Sequence, residues 1–438
     1  MPNCRFIFFS SLCALLAHCL VLSPARCAYA ESLEDLNDLV DEIEGRVDEV
    51  ETRTLLDKLS LGAELRTKLE YFNRRHVKAT GESGDTGDVW TNRFRVNARA
   101  EMGDDLVFHS RLSLFYIYNE FRDPSHYHFI DSIKRKPDES GSLKVERAYF
   151  DYFFPDSNFS ITLGRGPAGD GPPLEFRNDS SRKGTYPLVL LDGTLDGVFL
   201  NYDSDDLLGL QDSMFRVVYA KFKTNLEALN GSDLGDERIV LFSYEMPIPG
   251  VERTQLWLSY YRVFDFVVYD LPGADGTGDI GDFTVMTLHT QAMDIADSGF
   301  DAFLSFNWAR VYNRGPGIKF PAGTLAPIDV SLTLTGSSVD GSIDDTTDAY
   351  LLYSGIRYRI ASDFFRNPKL GFEFHHATKF YHAAYGGEDL LNKLGIKGES
   401  YELYYLQPFS RHLYFRLGLL VVDERYYSPG LGIPQPSS

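Results

Sequence analysis

From Leu59 onward, apolar and polar residues alternate along the chain. In Lys58–Asn73, Leu59, Leu61, Ala63, Leu65, Leu69 and Tyr71 share one face, and Ser60, Glu64, Arg66, Lys68 and Glu70 share the other. Trp90–Met102 repeats the pattern, setting Trp90, Phe94, Val96, Ala98, Ala100 and Met102 against Arg93, Arg95, Asn97, Arg99 and Glu101. A period of two predicts strands with one apolar and one polar face. These segments exceed the roughly five or six residues usual in soluble sheets. They suit tilted membrane-crossing strands of about 9–11 residues that project beyond the bilayer.

Thirteen further segments follow: Leu106–Phe121, Leu143–Phe154, Asn158–Arg165, Thr194–Tyr202, Met214–Phe222, Arg238–Met246, Thr254–Tyr269, Phe283–Asp294, Phe300–Asn313, Tyr350–Ile360, Leu370–Tyr381, Ser400–Gln407 and His412–Val422. The connections alternate short and long. Gly103-Asp104-Asp105 and Pro155-Asp156-Ser157 are short; Gly166–Gly193 and Arg314–Ala349 are long. Short turns at one end and long loops at the other mark an outer-membrane barrel. Single-chain bacterial barrels have an even strand number, so Ile328–Thr335 is the expected sixteenth strand. The predicted fold is all-β: a transmembrane antiparallel β-barrel of about 16 strands over residues 55–438, with 14 or 18 as alternatives. Charged polar faces suit a wet interior, because a dry core would need every charge paired.

Two segments precede the barrel. Residues 1–30 read as a signal peptide: Arg5, an apolar stretch from Phe6 to Leu22, and Ala28-Tyr29-Ala30 as the cleavage site. Residues 31–54 place Leu33, Leu36, Val40, Ile43, Val47 and Val50 at 3-4 spacing. This is a short coiled-coil helix, expected in the periplasm and expected to trimerise the chain through residues 33–50. The alternative is an amphipathic helix lying on its own domain.

Composition narrows the function classes. The chain has 438 residues, 63 Asp+Glu against 43 Lys+Arg, and a formal charge of −20. Such acidity argues against nucleic acid as a partner. All four Cys fall within the first 30 residues, which excludes disulfides and Cys-ligated metal from the mature chain.

The stretch Val145–Tyr202 (VERAYFDYFFPDSNFSITLGRGPAGDGPPLEFRNDSSRKGTYPLVLLDGTLDGVFLNY), with NKLGIKGESYELYYLQP from Asn392 and FRLGLL from Phe415, resembles a bacterial family. That family is catalogued as a domain of unknown function and regarded as outer-membrane porins. The resemblance implies a barrel, an outer-membrane location in a Gram-negative bacterium and an N-terminal coil. It implies no particular substrate.

Candidate chemistry sits on the polar faces. Arg66, Lys68, Arg93, Arg95, Arg99, His109 and Arg111 would line the pore. The third long loop carries Asp170, Glu175 and Arg177 and would fold inward as a constriction. A basic wall facing an acidic loop would sort solutes by charge and size. The plainer alternative pairs these arginines with Glu64, Glu70 and Glu101 in a solvated wall. Gly164–Gly169 matches G-x-G-x-x-G but opens into a Pro-rich loop where a dinucleotide site needs a helix. Asp270–Asp282 and Asp340–Asp348 lack EF-hand spacing. His375 and His376 point to opposite faces of a strand, so with His382 they make a poor metal site. No metal or cofactor is expected, and without G-x-S-x-G no catalytic residues are expected. The expected function is a porin for small hydrophilic solutes or ions, contacting outer-membrane lipid. The alternatives are a non-conducting structural or adhesive barrel and a sheath for an electron-transfer partner.

Overall fold

The computed structural model describes residues 58–74, 84–118, 143–223, 237–268, 278–313, 318–320, 330–333, 336–338, 346–379, 381 and 393–425. The expected signal peptide and coiled coil, and His382, lie outside the described residues.

Alternation yields strands wherever the sequence showed it. In chain order they are β1 (Leu59–Arg74), β2 (Gly84–Glu101), β3 (Leu106–Ile117), β4 (Leu143–Phe153), β5 (Phe159–Gly166), β6 (Leu195–Asp203), β7 (Met214–Lys223), β8 (Glu237–Met246), β9 (Thr254–Val268), β10 (Gly278–Ala292), β11 (Phe300–Asn313), β12 (Ile318–Phe320), β13 (Val330–Thr333), β14 (Gly336–Ser338), β15 (Thr346–Arg359), β16 (Lys369–Ala377), β17 (Gly398–Pro408) and β18 (Tyr414–Glu424). Fifteen of them form one meander in the order β1 to β11, then β15 to β18. From β2 to β18 its ladders are antiparallel; β10 and β11, for example, pair from Gly281↔Asn313 to Ala292↔Ala302. Among the described residues no ladder joins β1 to β18.

All fifteen segments read from the alternation belong to this sheet. The sixteenth does not. Of Ile328–Thr335 the described residues are Val330–Thr333, a strand that pairs with β12 and β14 in a three-stranded sheet separate from the meander. Its alternation therefore reports a second sheet.

The outer face is apolar. Leu65, Leu200, Leu258, Leu304, Phe306, Leu403 and Leu419 all project from it, exposed. Phe300 and Tyr358 pack on this face at the short-turn end with ring centroids 4.6 Å apart. Arg310 and Asp348 pair on the same two strands at the long-loop end, Nε to Oδ1 2.8 Å. The step from Phe300 to Arg310 spans about 25 Å along a membrane normal, for strands rising about 3.4 Å per residue at a tilt near 40°. That matches the height of a barrel's lipid-facing band. An ionic row, Arg165, Asp196, Lys221 and Arg238, crosses β5 to β8 by direct register on this face.

The inner face is not uniformly polar, contrary to the wet-lumen expectation. On β7 to β11 and β15 it carries Val218, Ile239, Val263, Phe283, Val311 and Leu351, each fully buried. Residues 167–194, between β5 and β6, cover it. They contain a short helix, α1 (Leu174–Asn178), and the buried run Tyr186–Leu191. Leu188, Val189, Leu190 and Leu191 are at most 5 % exposed. Burial contributes about 1.5–3 kcal/mol for each such side chain. Asn307 on β11 fixes the segment's height by donating its Nδ2 to the Val189 carbonyl at 2.6 Å.

Candidate functional site

Two ionic clusters hold the inner segment, chiefly over residues 169–183, against different parts of the sheet. The first begins with a fault in alternation. Arg111 on β3 pairs with Arg147 on β4, but Leu112 pairs with Val145, so Glu146 is an extra residue in the ladder. This β-bulge turns both Glu146 and Arg147 inward, where they are buried.

Glu146 then bridges two strands: its Oε2 accepts from Arg95 Nε at 2.8 Å and its Oε1 from Arg111 Nη1 at 3.2 Å. Asp170 of the inner segment enters the same cluster. Its Oδ2 lies 2.8 Å from Arg95 Nη1 and 3.1 Å from Arg111 Nη1. Asp170 sits at φ 61°, in the left-handed region that Asp tolerates better than most residues. Its backbone N–H donates to Asp192 Oδ1 at 2.9 Å. Arg147 donates to the carbonyls of Gly169 at 2.6 Å and Lys183 at 2.7 Å. Lys183 reaches Glu64 on β1, which also takes Arg93 Nη2 at 3.4 Å.

The second cluster lies across the inner face, on β16 to β18. Arg177, at the end of α1, places Nε 3.2 Å from Glu373 Oε1 and Nη2 2.9 Å from Glu402 Oε2. Lys393 joins both carboxylates and Arg416 joins Glu402. Tyr353 donates its hydroxyl to Glu373 at 2.7 Å. Next to it, Arg357 donates twice to Asp301, at 2.6 and 2.8 Å, and once to the Phe176 carbonyl. Asp179, the residue after α1, takes Lys369. Thus Asp170 meets an arginine wall, and Arg177 meets a carboxylate wall.

The expected site residues divide accordingly. Arg95, Arg111 and Asp170 come together as a basic wall against an acidic loop, with Arg93 beside them. Arg66 is on the same face of β1, within electrostatic reach of Arg93. Lys68 pairs with Glu70 at 2.6 Å, Arg99 with Glu101 and Arg93 with Glu64, pairs of the kind that the plainer alternative describes. His109 stacks on Tyr149 at 4.8 Å and faces Asp151, away from the cluster. Glu175 is buried beneath the segment near Gln291. Burial pushes its carboxyl above the usual range, and Arg182 and Arg357 only partly offset this. Arg182 instead pairs with Glu245 and lies over the Trp257 ring at 5.5 Å.

Sequence reasoning missed Glu146, Arg147, Glu373, Glu402, Lys393 and Arg416. A signal for the first two was present. Apolar residues on β4 change phase from Leu143 and Val145 to Ala148, Phe150 and Tyr152. His375 and His376 do face opposite sides, one buried and one half-buried. Among the described residues no group of His, Cys, Asp and Glu is arranged to hold a metal.

The sequence from 84 to 430 matches the model of a family described as Protein of unknown function (DUF3373). The chain belongs to this family. No curated protein matches it. Among solved structures, this DUF3373 chain is similar to Pseudomonas putida OprB at high pH, with 14% identity over 88% of this chain and 93% of that one and a TM-score of 0.44. It is also similar to Salmonella typhi OmpF in complex with daunomycin, with 13% identity over 86% and 94%, TM-score 0.44. A third is the loop L8 deletion mutant of OmpT, an outer membrane protein of Vibrio cholerae, with 11% identity over 84% and 96%, TM-score 0.41.

Proposed function

We propose that the chain is an outer-membrane channel that passes small hydrophilic solutes or ions passively, narrowed by residues 167–194. The supporting observation is the pairing of an apolar outer face with an inner face whose charges clamp that segment on both sides. In this reading the pore-lining groups are Arg66, Lys68, Arg93, Arg95 and Arg111, with Asp170, Glu175 and Arg177 on the constriction. Arg99 and His109 stand apart from it, towards the short turns. Residues 31–54 form the periplasmic coil, and residues 33–50 join three copies.

Purified protein in planar bilayers is expected to give stepwise conductance, in groups of three for a trimer. Absence of conductance from a protein that circular dichroism shows to be folded would favour a second reading, a non-conducting structural or adhesive barrel. The complete burial of Val189, Leu190 and Leu191 inside the sheet speaks for that second reading.

Membrane insertion has a separate test. Leu304, on the outer face of β11, falls between the Phe300 ring and the Arg310 pair. Leu304→Arg is expected to destabilise the folded protein in vesicles by about 2–4 kcal/mol, the cost of an arginine near the bilayer midplane. Urea unfolding of both forms measures this, and equal stability would place that face outside hydrocarbon.

A further inference from the structure

We infer that a cavity at the short-turn end of the inner face binds a small organic carboxylate, which takes the seat held by the inner segment's own Asp179. Such binding needs the fold alone and not conduction. The cavity measures about 360 Å³, towards the small end of ligand sites, which run to about 300–1,000 Å³. Asp301 on β11, Arg357 on β15 and Lys369 on β16 line it from the sheet, and Asp179 lines it from the inner segment. Arg253, Asp294 and Arg359 line it from beside the short turns. Asp301 and Arg357 are direct partners in the β11–β15 ladder.

Two cations of the wall converge on one carboxylate from the segment. Lys369 pairs with Asp179 Oδ1, and Arg357 Nη1 lies 3.5 Å from the same oxygen. The cations are enclosed, Arg357 at 3 % and Lys369 at 14 % side-chain exposure, whereas Asp179 keeps 27 %. Arg357 is fixed in place by Asp301 and the Phe176 carbonyl, so its remaining reach is preorganised. Glu175 is within electrostatic reach of Arg357. At the turns, Asp294 takes Arg253 at 2.8 Å and Arg359 at 2.9 Å, and Arg253 also meets Asp297 at 3.0 Å. Among the described residues Asp179 is the one carboxylate that Lys369 pairs with. A partly exposed pair of this kind is weakly held, so Asp179 can leave. Lys369 then needs another acceptor, and a solute carboxylate supplies the same charge-assisted hydrogen bonds. The group already seated there sets the class of ligand.

The experiment is isothermal titration calorimetry of the full-length mature protein in detergent with succinate. A tethered carboxylate competes as if present at millimolar concentration. Wild type is therefore expected to bind succinate weakly, and Asp179→Asn roughly tenfold or more tightly than wild type. Asp179→Gly suits the backbone at φ 47° and removes the side-chain oxygens, so it is expected to show the same gain. Adding Lys369→Gln to Asp179→Asn is expected to abolish that gain. Arg310→Gln, on the outer face, is expected to bind as wild type does. Circular dichroism confirms that each variant is folded. No succinate binding by folded Asp179→Asn and Asp179→Gly, or binding no tighter than in wild type, overturns the inference. An affinity unmoved by Lys369→Gln overturns the assignment to this cavity. Equal affinity for succinamide or for inorganic phosphate overturns the carboxylate class. None of these outcomes touches the channel reading, which conductance tests separately.

Discussion

Replacing Leu188, Val189, Leu190 and Leu191 together by serine is expected to enlarge the single-channel step, roughly doubling it or more as the obstruction leaves the path. These four side chains press the inner segment onto the apolar inner face. Each loses about 1.5–3 kcal/mol of burial when its hydrocarbon is removed. The two ionic clusters engage chiefly residues 169–183 and do not replace the contact made by residues 188–191. The ladders of the sheet are untouched, so circular dichroism is expected to be unchanged while conductance rises. An unchanged step from a folded variant would mean that residues 167–194 do not obstruct the path.

Asp170→Asn is expected to destabilise the attachment of the inner segment by about 3–5 kcal/mol, the usual cost of breaking a buried ion pair on one side. Asn keeps the shape and tolerates φ 61°. What it removes is the negative charge between Arg95 and Arg111, leaving Glu146, and Glu64 at 3.9 Å from Arg95, to balance them. Asp179→Asn makes the contrast. Asp179 keeps 27 % side-chain exposure, and Arg357 retains Asp301, so the expected loss is about 0–1 kcal/mol. Hydrogen exchange of amides 167–193 measures both. Equal protection in the two variants would deny the first cluster its role as the main clamp.

The strands of the large sheet were legible because each has one apolar face exposed on the outside. That constraint writes period two into the sequence over ten or more residues, as in β1 and β2, and tertiary context cannot erase it. Strand number was less legible. Val330–Thr333 alternates like its longer neighbours, and alternation alone does not say which sheet a strand joins. The inward fold of residues 167–194 was anticipated from its place as the third long loop and from its charged residues. Its depth was not, because TYPLVLL reads equally well as a loop core or a buried strand. The site was half visible. Arg93, Arg95 and Arg111 keep the polar phase of their strands and were found. Glu373, Glu402 and Arg416 keep it too, but Arg177, the partner of both glutamates, lies over 190 residues away from them in sequence, and no local spacing links them. Glu146 and Arg147 were hidden by the assumption that neighbours on a strand face opposite ways.

An odd number of antiparallel strands leaves β1 and β18 running in the same direction. Tyr414, at the start of β18, lies within electrostatic reach of Arg66 and Glu64 on β1. Any direct join between these edges is a parallel ladder, with slanted bonds and slightly weaker pairing than the antiparallel ladders elsewhere in the sheet. Mechanically, this gives the wall a line of least resistance. Pulled from its rim, the sheet is expected to part along β1 and β18 first and to unwind strand by strand from there.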